Sequence, residues 1–166
     1  MFSKFFSEDA MLVPVPGSCP HKPGNMWAPE LLAKSMKRYG LGHEVVTCLE
    51  RVVPISKSSQ TRVRPLPTKH HDTMEVKAAI TPPTNIMLVD DDVVTRGSTF
   101  LGSAWLISEA YPDVKIKAFA AMRTTSVRKF KNVLHPCTGT IELDEAMNPW
   151  KSPCQESTEH VQSSLV

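Results

Sequence analysis

Short apolar runs alternate with segments of helical spacing along the first 125 residues of the chain. The apolar run from Ala10 to Pro16 is stopped by two prolines, which is typical of a buried strand that leads into a loop. Residues 27–40 have a proline near the start, apolar residues at helical spacing, basic residues in the last turn and Gly40 as a stop. This segment predicts a helix, and residues 43–53 predict a second strand.

The same alternation continues after a long polar segment. Residues 54–76 are basic and rich in proline, which predicts a long loop of the kind that is often functional. Strands are then predicted over 84–90 and 113–124, with a helix over 98–111 between them. Strands that alternate with helices predict an α/β fold, in which a parallel β-sheet is flanked by helices on both faces.

Composition and charge limit the classes of protein to consider. The chain has 166 residues and 41% apolar content, which fits one domain over residues 1–150, followed by a polar tail over 151–166 that we expect to be disordered. A net charge of +2, from 19 basic and 17 acidic residues, argues against nucleic acid as a partner. No apolar run is long enough to span a membrane, and an acidic break interrupts the amino-terminal segment where a signal peptide needs an apolar core. We therefore expect a cytoplasmic protein.

The cysteines at positions 19, 48, 137 and 154 include no CxxC pair. They are interpreted as reduced, mostly structural thiols rather than as a disulfide framework or a zinc site. The run Lys69–Asp72 (KHHD) contains two adjacent histidines in the polar segment, which could hold a metal. Exposed histidines without a role are the favoured interpretation.

The segment 86–100, IMLVDDDVVTRGSTF, has the clearest chemical pattern. Ligands of open parallel sheets bind at the carboxyl ends of the strands, and here one strand ends in three aspartates. The following TRGST turn offers backbone N–H groups, a glycine, hydroxyl groups and a helix amino terminus, which together favour a phosphate. Carboxylates accept strong hydrogen bonds from sugar hydroxyls, so the two features together predict a ribose 5-phosphate ligand.

These residues resemble the signature of the type I phosphoribosyltransferases, in which a hydrophobic strand, two acidic residues and a Thr-Gly-Gly-Thr-like turn bind phosphoribosyl pyrophosphate (PRPP). The turn at 95–99 is similar to it, with Arg96 and Ser98 as variants. The VPVP run at 13–16, Asn25 followed by ELLAK, and LERVVPISKSSQ at 49–60 are similar in order and spacing to the ComF-like branch of that family. The resemblance covers roughly residues 10–125. It implies a Rossmann-like fold with a minimal hood, formed by the amino-terminal segment and residues 133–153.

The resemblance implies an enzyme of nucleotide metabolism, a pentosyltransferase that binds PRPP with Mg²⁺. It would transfer the phosphoribosyl group to a nitrogen acceptor, a nucleobase or an amine, and release pyrophosphate. Because PRPP oxygens hold most of the magnesium, no dedicated protein metal site is expected.

The family's functional residues can be transferred to matching positions. The ribose pair would be Asp91 and Asp92, which together with Lys57 are the candidate catalytic residues. The implied PRPP-binding positions are Asp91, Asp92, Val94, Thr95, Arg96, Gly97, Ser98 and Thr99, and those for pyrophosphate are Gly17, Ser18 and Lys22. A mobile loop would close over the reacting centre, with candidates Lys57, Arg62, Arg64, His70 and His71.

Several alternatives stay open at this point. A turn that begins at the aspartates would direct Asp91 and Asp92 toward the ligand, whereas a one-residue bulge would make Asp90 and Asp91 the pair. A regulatory protein that senses PRPP without catalysis, or an interaction module whose acidic strand end is incidental, could use the same fold. A homodimer is also left open.

Overall fold

The computed structural model describes residues 5–56, 64–77, 84–94, 97–123 and 138–152. It contains three helices and eight strands within these ranges. The helices are α1 (Ala28–Arg38), α2 (Pro67–His71) and α3 (Ser98–Ala110). The strands are β1 (Met11–Pro14), β2 (Glu44–Val45), β3 (Leu49–Arg51), β4 (Met74–Val76), β5 (Asn85–Val94), β6 (Lys115–Arg123), β7 (Ile141–Leu143) and β8 (Pro149–Lys151).

The main sheet has the strand order β2-β1-β5-β6, and every neighbouring pair in it is parallel. Strand β1 pairs with β5 from Met11 opposite Ile86 to Pro14 opposite Val89. This confirms the predicted α/β class, a parallel sheet flanked by helices. Strand β1 ends opposite Val89, while β5 continues to Val94, so the loop that leaves β1 begins beside the start of the acidic run of β5.

Both faces of the sheet are covered, as the continuous apolar runs in β1 and β5 require. On one face Leu12 and Met87 pack with Ala33 and Met36 of α1. On the other face the core includes Val13 and Leu88 together with Phe100 and Ile107 of α3. Each buried side chain of this size contributes roughly 1.5–3 kcal/mol when it is removed from water, so the two clusters fix the sheet between α1 and α3.

The region between the second and third predicted strands differs from the prediction. The expected strand over 43–53 is divided into β2, which joins the main sheet, and β3, which pairs antiparallel with β4 in a separate sheet. The predicted long loop contains α2 and β4. The polar composition of this segment gave no pattern that predicts α2 or β4, because only a few of their residues, among them Pro67 and Met74, are buried in the core.

Strands β7 and β8 form an antiparallel hairpin within the segment predicted to contribute to a hood. Its turn is closed by the Asp144 carboxylate, which accepts hydrogen bonds from the N–H groups of Ala146 (2.9 Å) and Asn148 (2.8 Å). Lys151 belongs to β8, and the rest of the predicted tail, residues 153–166, lies outside the described ranges. Within the described ranges, no helix is long and apolar enough to cross a membrane.

Candidate functional site

The candidate site lies at the carboxyl edge of the main sheet, where the β1 loop (residues 15–27) and the end of β5 meet. The N–H of Val15 donates to the Val89 carbonyl (2.9 Å), so the pairing of β1 with β5 continues to the first residue of the loop. The predicted pyrophosphate residues Gly17 and Ser18 follow directly. The fold therefore brings this loop next to the acidic end of β5.

Strand β5 has a bulge within its acidic run. Asp90 pairs with Ala120 and Val93 with Met122, so two residues of β5, Asp91 and Asp92, correspond to a single residue of β6. A one-residue bulge was one of the two alternatives raised by the sequence. Strand β5 continues to Val94, so the alternative of a turn that begins at the aspartates is wrong. The bulge lies after Asp90, which keeps its regular pairing with Ala120, so the choice between Asp90 with Asp91 and Asp91 with Asp92 as the ribose pair stays a prediction.

The chain enters α3 through Gly97, whose φ of 86° and ψ of 15° lie in the left-handed region that favours glycine. The Gly97 carbonyl accepts the first hydrogen bond of the helix, from the N–H of Leu101 (3.0 Å). Gly97 has no side chain to cap this end of α3, and no other described residue is seen to cap it, so an anion could bind the N–H groups of the first turn, at Ser98 and Thr99.

Gly97 is also enclosed by the β7–β8 hairpin. It is buried, and a Cβ atom at this position would lie 2.6 Å from Cδ1 of Ile141. Gly97 of the predicted phosphate turn is thus covered on one side by a residue of the hood segment. Val94 pairs with Arg123 at the end of β5, and the predicted turn residues Thr95 and Arg96 lie outside the described residues.

Two carbonyl groups of the β1 loop accept hydrogen bonds from β3 and from the segment that follows it. The Gly17 carbonyl accepts a hydrogen bond from Arg51 Nε (2.5 Å), and the Ser18 carbonyl accepts one from the N–H of Ile55 (2.8 Å). Lys22 is exposed on the same loop, and its carbonyl accepts a hydrogen bond from the N–H of Asn25 (3.1 Å).

Arg51 belongs to a buried polar cluster that the sequence did not predict. Its Nη1 donates to Thr73 Oγ1 (2.6 Å) and its Nη2 donates to His70 Nδ1 (3.3 Å). Thr73 in turn donates to the Lys69 carbonyl (2.6 Å). A signal was present in the sequence, because strand alternation places Arg51 on the same face as the buried Leu49.

Burial dominates the electrostatics of this cluster. It lowers the pKa of Arg51 to about 10, so the guanidinium is still a cation near neutral pH. Burial, and then the neighbouring Arg51 charge, lower the pKa of His70 to about 4. His70 is therefore neutral near neutral pH, and because arginine only donates, Nδ1 of the ring must be the acceptor.

The adjacent histidine faces outward. His71 Nδ1 lies 3.0 Å from an Asp72 oxygen and Nε2 lies 3.0 Å from a Glu109 oxygen. These two hydrogen bonds, with Asp72 first, raise the pKa of His71 above its usual range. The His71 ring also packs on Trp105 of α3, with 4.6 Å between the ring centroids.

These positions correct two expectations about the histidines. His70 is buried rather than exposed, and both histidines belong to α2, which packs on α3, instead of to a mobile closing loop. Gly102 allows the close packing, since a Cβ there would lie 2.6 Å from the Pro67 carbonyl oxygen. Arg64 is exposed at the rim of an open cleft that Ile55 and Lys69 also line, whereas Lys57 and Arg62 lie outside the described residues.

The remaining predicted chemistry concerns metals and thiols. The described part of the chain contains no group of three His, Cys, Asp or Glu residues placed to hold a metal ion, including the KHHD run. Cys19 is an exposed free thiol and Cys48 a buried one, and burial raises the pKa of Cys48 to about 11. Among the described residues, neither has a partner for a zinc site or a disulfide, and Cys137 and Cys154 lie outside the described ranges.

Comparisons with known proteins add no relative. No protein-family model matches the chain, and neither the curated proteins nor the solved structures include a match. Its function is therefore inferred from the residues and their geometry alone.

Proposed function

We propose that the protein binds PRPP together with Mg²⁺ and transfers the phosphoribosyl group to a nitrogen acceptor, with release of pyrophosphate. One observation carries this proposal. The acidic run of β5 begins next to the position where the β1 loop leaves a parallel sheet, and β5 is followed by a buried glycine in the left-handed conformation that opens a 13-residue helix. This is the arrangement that a ribose 5-phosphate ligand needs.

In this proposal the 5-phosphate lies at the amino terminus of α3. The N–H groups of Ser98 and Thr99 would donate to it, and the helix dipole favours its negative charge. Gly97 allows the backbone to approach closely and to turn into the helix. The hydroxyl groups of the same turn add donors that a phosphate can use.

The ribose hydroxyls would be bound by Asp91 and Asp92, the two residues of the bulge. In a regular strand consecutive residues point to opposite faces, and a bulge relieves that constraint. Magnesium suits the oxygen-rich chemistry of this donor set, because Mg²⁺ keeps several water molecules and binds phosphate oxygens with one or two carboxylates. When bound, the ion would neutralise charge on the departing pyrophosphate.

The chemical step would break the bond between C1 of the ribose and the pyrophosphate oxygen, and form a bond between C1 and the acceptor nitrogen. The acceptor proton is lost to solvent or to a base. Positive charge develops at C1 as pyrophosphate departs, so the site accelerates the step mainly by positioning and by electrostatic stabilisation. Lys57 stays the predicted cationic contact to the leaving group.

The test is direct. Calorimetry should show saturable PRPP binding that depends on magnesium, and an assay of pyrophosphate release should show turnover with one of a panel of nucleobases and amines. Binding without turnover on any acceptor would favour the PRPP-sensing alternative. Absence of PRPP binding with magnesium present would reject both, and would leave the interaction module.

A further inference from the structure

Arg51 is a buried cation whose partners are all neutral in the described part of the chain. Only 1% of its surface is exposed, and its guanidinium donates to the Gly17 carbonyl, the Thr73 hydroxyl and the His70 ring. Burying a charge without a carboxylate costs free energy, and a packed apolar residue at the same place would be at least as stabilising. The position of Arg51 therefore calls for a role beyond filling the core.

The contacts of Arg51 fix the orientation of the β1 loop. The Gly17 carbonyl points to Arg51 and the Ser18 carbonyl points to the N–H of Ile55. All peptide bonds described here are trans, and in a trans peptide the N–H of the next residue points opposite to the carbonyl. The N–H groups of Ser18 and Cys19 are thus directed away from β3.

Both N–H groups are free to bind a ligand. Neither donates a hydrogen bond to any other described residue, and the loop is solvent-accessible at Gly17 and Cys19. Two successive N–H groups held in this way can bind an anion, and a buried guanidinium behind them adds positive potential.

We propose that Arg51 is a positioning residue, which holds the Gly17–Ser18 peptide so that the N–H groups of Ser18 and Cys19 bind the pyrophosphate of PRPP. This inference rests on the proposed function. Arg51 itself is too deeply buried to touch the ligand. Its three donor nitrogens reach a carbonyl, a hydroxyl and an imidazole at once, which the single ammonium of a lysine cannot do.

The experiment compares two ligands that differ in the pyrophosphate. Binding of PRPP and of ribose 5-phosphate, both with magnesium, is measured by calorimetry for the wild type, Arg51→Lys, Arg51→Met and Thr73→Val. Arg38→Met, at the end of α1, is the control for loss of a positive charge. The Arg51 variants should lose about tenfold or more in PRPP affinity, the scale of one or two weakened hydrogen bonds to a charged group. Ribose 5-phosphate affinity should change less than about twofold.

A second measurement does not depend on any ligand. In the free protein, amide hydrogen exchange over residues 15–27 should be faster in Arg51→Lys and Thr73→Val than in the wild type. Thr73→Val keeps the arginine and the shape of the side chain, so it reports on the cluster even if Arg51→Met fails to fold. Unchanged exchange in both variants would overturn the positioning role.

The binding results separate the two hypotheses. Wild-type affinity in Arg51→Lys would show that charge alone suffices, and equal losses for both ligands would show a structural role; either result overturns the inference. A wild type that binds PRPP no more tightly than ribose 5-phosphate would also overturn it, while leaving the proposed function in place. A wild type that binds neither ligand would overturn both.

Discussion

The β1 loop begins beside Val89, just before the acidic run of β5, yet this loop and the end of β5 are held in opposite ways. The β5 end is shaped locally, by a bulge at Asp91 and Asp92 and by the left-handed Gly97 three residues after Val94. The β1 loop is shaped from a distance, by Arg51, which is 34 residues away in sequence, and by the N–H of Ile55. One half of the candidate site is thus encoded by its own residues, and the other half by β3 and α2.

Because of this difference, a substitution in one half of the candidate site should weaken ligand binding by that half without affecting the other half. Changes in the β5 turn should act on the 5-phosphate and ribose, which PRPP and ribose 5-phosphate share. Changes in the cluster behind the β1 loop should act on the pyrophosphate alone. The comparison of the two ligands therefore reports which half of the site a substitution has damaged.

The largest effect is expected for Gly97→Val. A branched residue is strongly disfavoured at a φ of 86°, and its Cβ would meet Ile141 at 2.6 Å. We expect at least about a hundredfold loss in affinity for both ligands, because the backbone N–H groups that would bind the 5-phosphate lose their alignment. The contact with Ile141 should also lower the free energy of unfolding by roughly 1–3 kcal/mol, so the variant is expected to lose stability as well as ligand affinity. Calorimetry and urea unfolding measure the two effects.

Gly40→Val is the matched control. Gly40 has a φ of 72°, similar to that of Gly97, but open space surrounds the position of its Cβ, and it lies at the end of α1 away from the site. This variant should show the backbone strain without the loss of binding. Equal loss of PRPP affinity in both variants would mean that strain in the fold, rather than the phosphate turn, explains the result at Gly97.

The contrast between the loops also explains what the sequence could predict. The β5 strand, the TRGST turn and α3 are contiguous, so their pattern predicted the elements, and the site hypothesis could be built on them. The Arg51 cluster joins residues from β3, α2 and the β1 loop, and no local pattern links positions 17, 51, 70 and 73. The three-residue strand β4 and the five-residue helix α2 were hidden for the same reason, since long-range packing stabilises them.

The second prediction concerns the stability of the protein at acidic pH, which depends on His70 in the cluster behind the β1 loop. The pKa of His70 is lowered to about 4, so the unfolded chain binds its proton more readily than the folded one. The contribution of neutral His70 to the free energy of unfolding is complete above pH 6.5, the ordinary pKa of histidine, and is lost as the pH falls toward about 4. A shift of this size corresponds to on the order of 3 kcal/mol in the free energy of unfolding.

His70→Gln isolates this contribution from the carboxylates that titrate in the same range. The amide can accept a hydrogen bond from Arg51 but does not titrate, so the variant should lose stability less steeply between pH 6.5 and 4. Urea unfolding across that range gives the two curves. Parallel curves for wild type and variant would show that His70 is not held neutral by the cluster.

The third prediction tests the β5 half directly. Asp91→Asn and Asp92→Asn should each weaken PRPP binding by about 1.5–3 kcal/mol, the scale of a hydrogen bond to a charged group. Asp90→Asn should cost much less, because Asp90 pairs regularly with Ala120 before the bulge begins. Calorimetry of the three variants at fixed magnesium is decisive. If Asp90→Asn proves the most damaging, the ribose pair is Asp90 and Asp91.

The smallest effect is expected for His71→Gln, on the outer side of the same helix as His70. Hydrogen bonds with Asp72 and Glu109 raise the pKa of His71, so its contribution to stability is complete below 6.5 and is lost as pH rises through the raised value, opposite to that of His70. Because Asp72 and Glu109 are solvent-exposed, the variant should lose less than about 1 kcal/mol in urea unfolding below pH 6.5, and less still under alkaline conditions. PRPP affinity should not change, since His71 makes no contact with Arg51 among the described residues. If His71→Gln weakens PRPP binding as much as Arg51→Lys, the β1 loop depends on the whole of α2 rather than on the Arg51 guanidinium.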